Sequence, residues 1–168
     1  MGREFAPKRP MTTFEPTFLD LEALDQAVAT DDIPWVPQEP GRWFKPLHFF
    51  TSSGTWINLV KMDPGRQIRR HIHAGGSVHA YVLAGSWRYL EHDWIAQRGS
   101  YVYEPAGGAH TLEVLGDEPM VTLFIVNGVI QYLDDDGHIV QQDDLRSRRQ
   151  LYLDYCREHG IEPVALTT

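Results

Sequence analysis

Two stretches decide how this chain is read: Gly65-Arg-Gln-Ile-Arg-Arg-His71-Ile-His73-Ala-Gly-Gly-Ser-Val-His79-Ala-Tyr-Val-Leu-Ala-Gly85 and Gly99-Ser-Tyr-Val-Tyr-Glu-Pro105-Ala-Gly107-Gly-Ala-His110. Both are rich in strand-forming residues and punctuated by Gly and Pro. Successive side chains of a strand point to opposite faces, so His71 and His73 project the same way with Ile72 between them. A lone histidine is most often exposed or hydrogen-bonded in a core. Here a paired His-x-His follows a Gly at fixed spacing and a third His follows a Gly-Pro-Gly framework, a pattern that points to a metal held by His71, His73 and His110.

Working outward, Arg42 to Gln142 consists of short runs of Val, Ile, Tyr, Trp and Phe separated by turn residues. Strands are expected at 42–50, 55–62, 66–73, 77–84, 86–91, 93–97, 100–104, 109–115, 119–126, 128–133 and 138–141, the spacing of a sandwich or barrel. Asp134-Asp-Asp-Gly137 reads as a hairpin turn, because the loop lacks the further ligands of a calcium site. Pro34, Pro37 and Pro40 remove backbone donors and imply an extended edge segment over 31–41. The first sixteen residues read as a loose arm. Thr17 to Thr30 carries Leu21, Leu24 and Val28 at helical spacing and predicts one short helix. Asp143 to His159 predicts a clear helix, with Leu145, Tyr152, Tyr155 and Cys156 as its apolar stripe, Gly160 as its stop, and Arg146, Arg148 and Arg149 as its solvated face. The organisation expected is an arm over 1–30, a barrel over 31–142 and a packed helix and tail over 143–168.

Composition excludes several classes of function. Lys plus Arg number 15 against 23 Asp plus Glu, and the formal charge of -8 repels a phosphate backbone, so nucleic acid is not an expected partner. No stretch has the length or purity of a membrane span. The single cysteine, Cys156, cannot form an internal disulfide, which fits a reducing cytoplasm.

The spacing G-x5-H-x-H followed by G-x5-P-x-G-x2-H resembles the two motifs of the cupin superfamily. Gly65, His71, His73, Gly85, Gly99, Pro105, Gly107 and His110 stand where that pattern places them. The usual first-motif glutamate falls instead on Val78, so the three-His-one-Glu set is incomplete. More narrowly, the run from His71 to Trp94, with Trp43-Phe44-Lys45-Pro46-Leu47 and Gly54-Thr55-Trp56, is similar to the 2,4'-dihydroxyacetophenone dioxygenase family over roughly residues 33 to 158. The resemblance implies an all-β double-stranded β-helix, or jelly-roll barrel, with a C-terminal helix.

Which acid replaces the absent one? Continuing the alternation beyond Gly85-Ser86 puts Trp87, Tyr89 and Glu91 on one face, and a glutamate facing a barrel interior is best explained by a cation beside it. The resemblance also places an iron-associated glutamate there. The competing reading is a surface residue in the turn Glu91-His92-Asp93. His79, one residue past the expected carboxylate, is read as a substrate contact or a hydrogen-bond partner of a ligand ahead of a direct ligand. Substrate-facing candidates are Trp56, Arg69, His79, Tyr81, Trp87, Tyr89 and Phe124, although strand aromatics are more often plain core.

Neutral imidazoles suit Fe, Zn, Ni and Cu alike, so the ligands alone do not name the metal. Three histidines leave coordination positions open, as in non-haem Fe(II) oxygenases, whereas a structural zinc site is closed. The family resemblance implies Fe(II), with Zn, Ni or Mn conceivable in a purified sample. It also implies O2-dependent cleavage of the bond between the carbonyl and hydroxymethyl carbons of an aryl α-hydroxyketone, giving an aromatic acid and formate. His79 or Glu91 is the expected proton acceptor. A β-diketone-cleaving cupin dioxygenase, a Zn- or Mn-bound isomerase and a non-catalytic metal-bound sensor are the rival readings. A homodimer or homotetramer is expected, because exposed sheet edges are best covered.

Overall fold

Alternation of buried and exposed side chains organises the barrel. Along β9 (Ala109–Leu115) and β10 (Met120–Asn127) every second residue is buried, the period of a strand with one face on a core. A computed structural model describes residues 27–167, which places the N-terminal arm and most of the helix expected over 17–30 outside the described residues. The other strands are β1 (Val36–Glu39), β2 (Arg42–Phe50), β3 (Thr55–Met62), β4 (Gln67–Ala74), β5 (Val78–Ala84), β6 (Ser86–Tyr89), β7 (Ala96–Gln97), β8 (Tyr101–Glu104), β11 (Val129–Leu133) and β12 (Ile139–Asp143). They form two antiparallel six-stranded sheets, in the orders β1-β2-β3-β10-β5-β8 and β12-β11-β4-β9-β6-β7. The result is the expected jelly-roll barrel.

Between the sheets lie Phe44, Trp56, Met62, Val82, Trp87 and Leu112, each at most 2% exposed. Burying each such side chain stabilises the fold by roughly 1.5–3 kcal/mol. Two glycines turn corners where the chain changes sheet. Gly85 (φ 68°) links β5 to β6, and a Cβ there would lie 2.7 Å from the Pro119 carbonyl oxygen. Gly128 (φ 85°) links β10 to β11, and a Cβ would lie 2.3 Å from the Ala74 carbonyl oxygen. Any larger residue would force the sheets apart at the edge of the histidine-bearing strand.

The helix α1 runs from Leu145 to His159. Asp144 caps it reciprocally: its side chain accepts from the Ser147 amide at 2.8 Å and its own amide donates to the Ser147 hydroxyl at 2.9 Å. Gly160, at φ 65°, closes the other end. Leu145, Tyr152 and Cys156 face the barrel. Arg148 corrects the expected solvated face, for it is only 7% exposed while Arg146 and Arg149 are exposed. The difference is a buried partner: Arg148 donates to Asp143 Oδ2 at 2.7 Å and to the Tyr132 hydroxyl at 3.2 Å. The strand expected at 93–97 shrinks to Ala96–Gln97, which pair with Trp87 and Ser86 just after β6 ends in a turn closed by the His92 amide on the Tyr89 carbonyl. Among the described residues, no helix is long and apolar enough to cross a membrane.

Candidate metal centre

His71 and His110 are directly opposed across the β4–β9 ladder, and His73 follows two residues along on the same inward face. Their ring centroids are 4.6 Å (His71–His110), 5.1 Å (His71–His73) and 5.4 Å (His73–His110) apart. One ligand nitrogen from each lies within 4.8 Å of the others, and all three residues are buried.

Burial and mutual repulsion keep the His71 and His110 rings neutral. Burial comes first in pushing His71 down to about 3, with His110 and His73 adding to it. Burial also dominates at His110, which sits at about 4. Neutral imidazoles have lone pairs to offer. The His71 Nδ1–H donates to the Arg69 carbonyl at 2.9 Å, which leaves Nε2 as the free donor atom. His73 Nδ1 and His110 Nε2 are buried with no hydrogen-bond partner. Orphaned ring nitrogens in a dry site fit a metal ion, which would satisfy them together.

The carboxylate absent at position 78 enters from the neighbouring strand. Val78 and Glu104 are cross-strand partners on β5 and β8, so they share the inner face. Glu104 is 3% exposed. Its Oε2 lies 3.0 Å from His73 Nε2 and 3.5 Å from His110 Nε2, and its Oε1 accepts the Tyr89 hydroxyl at 2.5 Å. Burial by itself would raise this carboxyl. The hydrogen bond and charge interaction with His73, the charge interaction with His110 and the Tyr89 hydroxyl outweigh burial, and hold it below the usual carboxylate range. Tyr89 also stacks on His110, with centroids 3.9 Å apart, and burial next to Glu104 pushes its phenol well up.

Glu91 is elsewhere. Strand β6 ends at Tyr89, so the alternation that seemed to carry Glu91 inward stops two residues early. Its exposed carboxylate accepts from the Thr111 amide at 2.8 Å and the Thr111 hydroxyl at 3.0 Å. His79 and Tyr81 lie on the outer face of β5, whose buried residues are Val78, Ala80 and Val82. His79 Nδ1 pairs with the Tyr101 hydroxyl at 2.7 Å, away from the histidine triad. Arg69 shares sequence parity with His71, but a bulge between Ile68 and His71 resets the strand, and its exposed side chain donates to Gln141. Trp87 is core, donating to the Thr122 hydroxyl at 3.1 Å. Trp56, Tyr89 and Phe124 do line a cavity of about 60 Å³, together with His71, His73 and Glu104.

Sequence reasoning missed Glu104 and the polar wall formed by Arg42, Asn58 and Arg148. A signal for Glu104 existed: it precedes Pro105 and shares parity with the apolar Val102. It was masked because β8 inverts the usual polarity, with Tyr101 61% and Tyr103 56% exposed.

Comparisons with known proteins agree with this architecture. No curated protein sequence matches the chain. Among solved structures, an RmlC-like cupin protein from Ralstonia eutropha is 37% identical, with 85% of this chain and 94% of that chain covered and a TM-score of 0.81. A second Ralstonia eutropha protein, of unknown function and cupin-like fold, is 23% identical, with coverages of 84% and 91% and a TM-score of 0.77. An acetylacetone dioxygenase from Acinetobacter johnsonii is 15% identical, with coverages of 90% and 99% and a TM-score of 0.67. The last two likenesses are of fold alone. The family model described as the ChrR cupin-like domain matches residues 24–131, a span that holds both His-bearing strands and Glu104, and the chain therefore belongs to that family of cupins.

Proposed function

We propose that this protein is a non-haem Fe(II) dioxygenase that cleaves a C–C bond of a small carbonyl compound held against the histidine triad. One observation carries the reading: three buried imidazoles converge within 4.8 Å, and two of them lie on the wall of a cavity. His71, His73 and His110 would hold the metal. Glu104 would either complete the ligand set or orient His73 through the 3.0 Å contact. Fe(II) bound there would supply a Lewis acid for a chelating carbonyl oxygen and a path for electrons from the guest to O2.

The chain's own residues do the rest. Glu104, kept deprotonated, is placed to accept the proton that an enolisable guest loses on binding. Tyr89, donating to Glu104 Oε1 at 2.5 Å, steadies the negative charge and fixes the carboxylate. Trp56 and Phe124 give the guest an apolar flank and exclude water. These roles replace those expected of Glu91 and His79.

The similarity to the 2,4'-dihydroxyacetophenone dioxygenases makes an aryl α-hydroxyketone the first substrate to test, with an aromatic acid and formate as products. A β-diketone is the second, and the cavity volume favours it: about 60 Å³ is small beside the several hundred typical of ligand pockets and suits a compact guest. The buried free thiol of Cys156 fits a reducing cytoplasm. Association as a homodimer or homotetramer would cover the sheet edges at β8 and β12.

The test is anaerobic loading with Fe(II), then oxygen uptake with 2,4'-dihydroxyacetophenone and with acetylacetone. Uptake matched, per O2, by one aromatic acid and one formate from the hydroxyketone, or by one acid and one dicarbonyl fragment from acetylacetone, supports the reading. Stoichiometric iron without uptake on either compound would leave a metal-bound sensor or binding module.

A further inference from the structure

The cavity wall is not uniformly apolar. Asn58 stands on the inner face of β3 between Trp56 and Val60, is 5% exposed, and lines the cavity. Its carboxamide makes no hydrogen bond to any described residue. Its amide atoms are not sealed in the core but open onto the cavity, where a side chain serving packing alone would be Leu or Val. Arg42, 9% exposed, lines the same cavity. Its Nε lies 3.1 Å from Glu39 Oε1 yet is buried without a hydrogen bond, and no described residue accepts from its two terminal nitrogens. Arg148 contributes a second guanidinium to this wall, paired with Asp143 and set over the Phe44 ring at 5.6 Å.

We propose that this wall recognises an anionic group on the guest, and that the substrate class is a short oxo acid whose carboxylate meets Arg42 and Asn58 while its carbonyl faces the histidines. The inference rests on the proposed carbonyl-cleaving reading and sharpens it. The chemistry follows from the donors present. A guanidinium with two free N–H-bearing nitrogens matches a carboxylate in a paired geometry, and the Asn58 amide adds a third donor. A neutral diketone or phenyl ketone would leave those donors unpaired in a small cavity, whereas an acid satisfies them all.

The experiment uses a probe pair of nearly equal size, acetoacetate and acetylacetone, titrated calorimetrically into the full Fe(II)-loaded chain without oxygen. Acetoacetate should bind about 10-fold more tightly, the scale of one charge-assisted pair. Asn58→Leu and Arg42→Met should each weaken acetoacetate about 10-fold, leave acetylacetone within about two-fold, and leave metal content unchanged. Equal binding of the two probes by the parent protein, or a preference that survives both substitutions, overturns the proposal. The two readings fail separately. Oxygen uptake on acetylacetone with no acid preference removes only this one, while an acid preference with no uptake on either probe removes the oxygenase and leaves the anion site standing.

Discussion

Two groupings of imidazole and phenol in this molecule use similar residues to opposite ends. Inside the barrel, His71, His73 and His110 meet Glu104 and Tyr89, all buried. Outside, His79 pairs with Tyr101 and lies 5.4 Å from the Tyr103 ring, among side chains in contact with water. Both contain imidazole beside phenol. Only the inner one has orphaned nitrogens and a cavity. Strand parity, not residue type, separates them: His79 is one residue removed from Val78, and that one step carries it through the sheet.

The contrast can be broken or sharpened by measurement, starting with the largest effect. His71→Ala should remove essentially all metal after desalting, by elemental analysis, whereas His79→Ala should retain the parental content. The same inside-outside rule applies on α1. Arg148→Ala strands Asp143 and should cost about 3–5 kcal/mol by chemical denaturation, against about 0.5 kcal/mol or less for Arg146→Ala. Of the two glutamates, Glu104→Gln should weaken metal binding about 10–100-fold in a chelator competition, and Glu91→Gln should change it by less than about two-fold.

Acid should also find the inner cluster first. The folded-state values of His71, about 3, and His110, about 4, lie below the ordinary 6.5, so below pH 6.5 the unfolded chain binds more protons than the native one. Stability is then complete above pH 6.5 and falls as pH drops towards 4, with a slope approaching about two protons. Glu104, held low, works in the same direction at still lower pH. Thermal midpoints of the metal-free protein between pH 7.5 and 4 check this, and a flat profile would refute it. Smallest of all, Tyr101→Phe should shift stability by about 0.5 kcal/mol or less, since its hydroxyl bonds His79 at an exposed site.

Where alternation ran unbroken, the sequence was a sound guide to the histidine pair and two cavity aromatics, though not to His79 and Tyr81, which the regular β5 carries outward. His71 and His73 are two apart on one strand, and Trp56 and Phe124 lie on strands of regular period, so all four face inward as expected. Where the backbone departs from period two, it misled. The bulge before His71 turned Arg69 outward, and the early end of β6 released Glu91 to Thr111. At β8 the backbone is regular but the polarity is reversed, with tyrosines outside and Glu104 inside, so a reading by hydrophobicity passes over the acid.

The chain's local pattern alone determined a sandwich or barrel of short strands, the three histidines and the C-terminal helix, because glycine corners, residue alternation and helix caps act between near neighbours along the sequence. The carboxylate and the polar cavity wall were decided only by tertiary structure. Glu104 joins the histidines because β8 pairs with β5 opposite Val78, and Arg148 reaches the cavity because α1 folds back against β1 and β2. Such meetings depend on cross-strand register and packing between residues far apart in sequence, which no local period records.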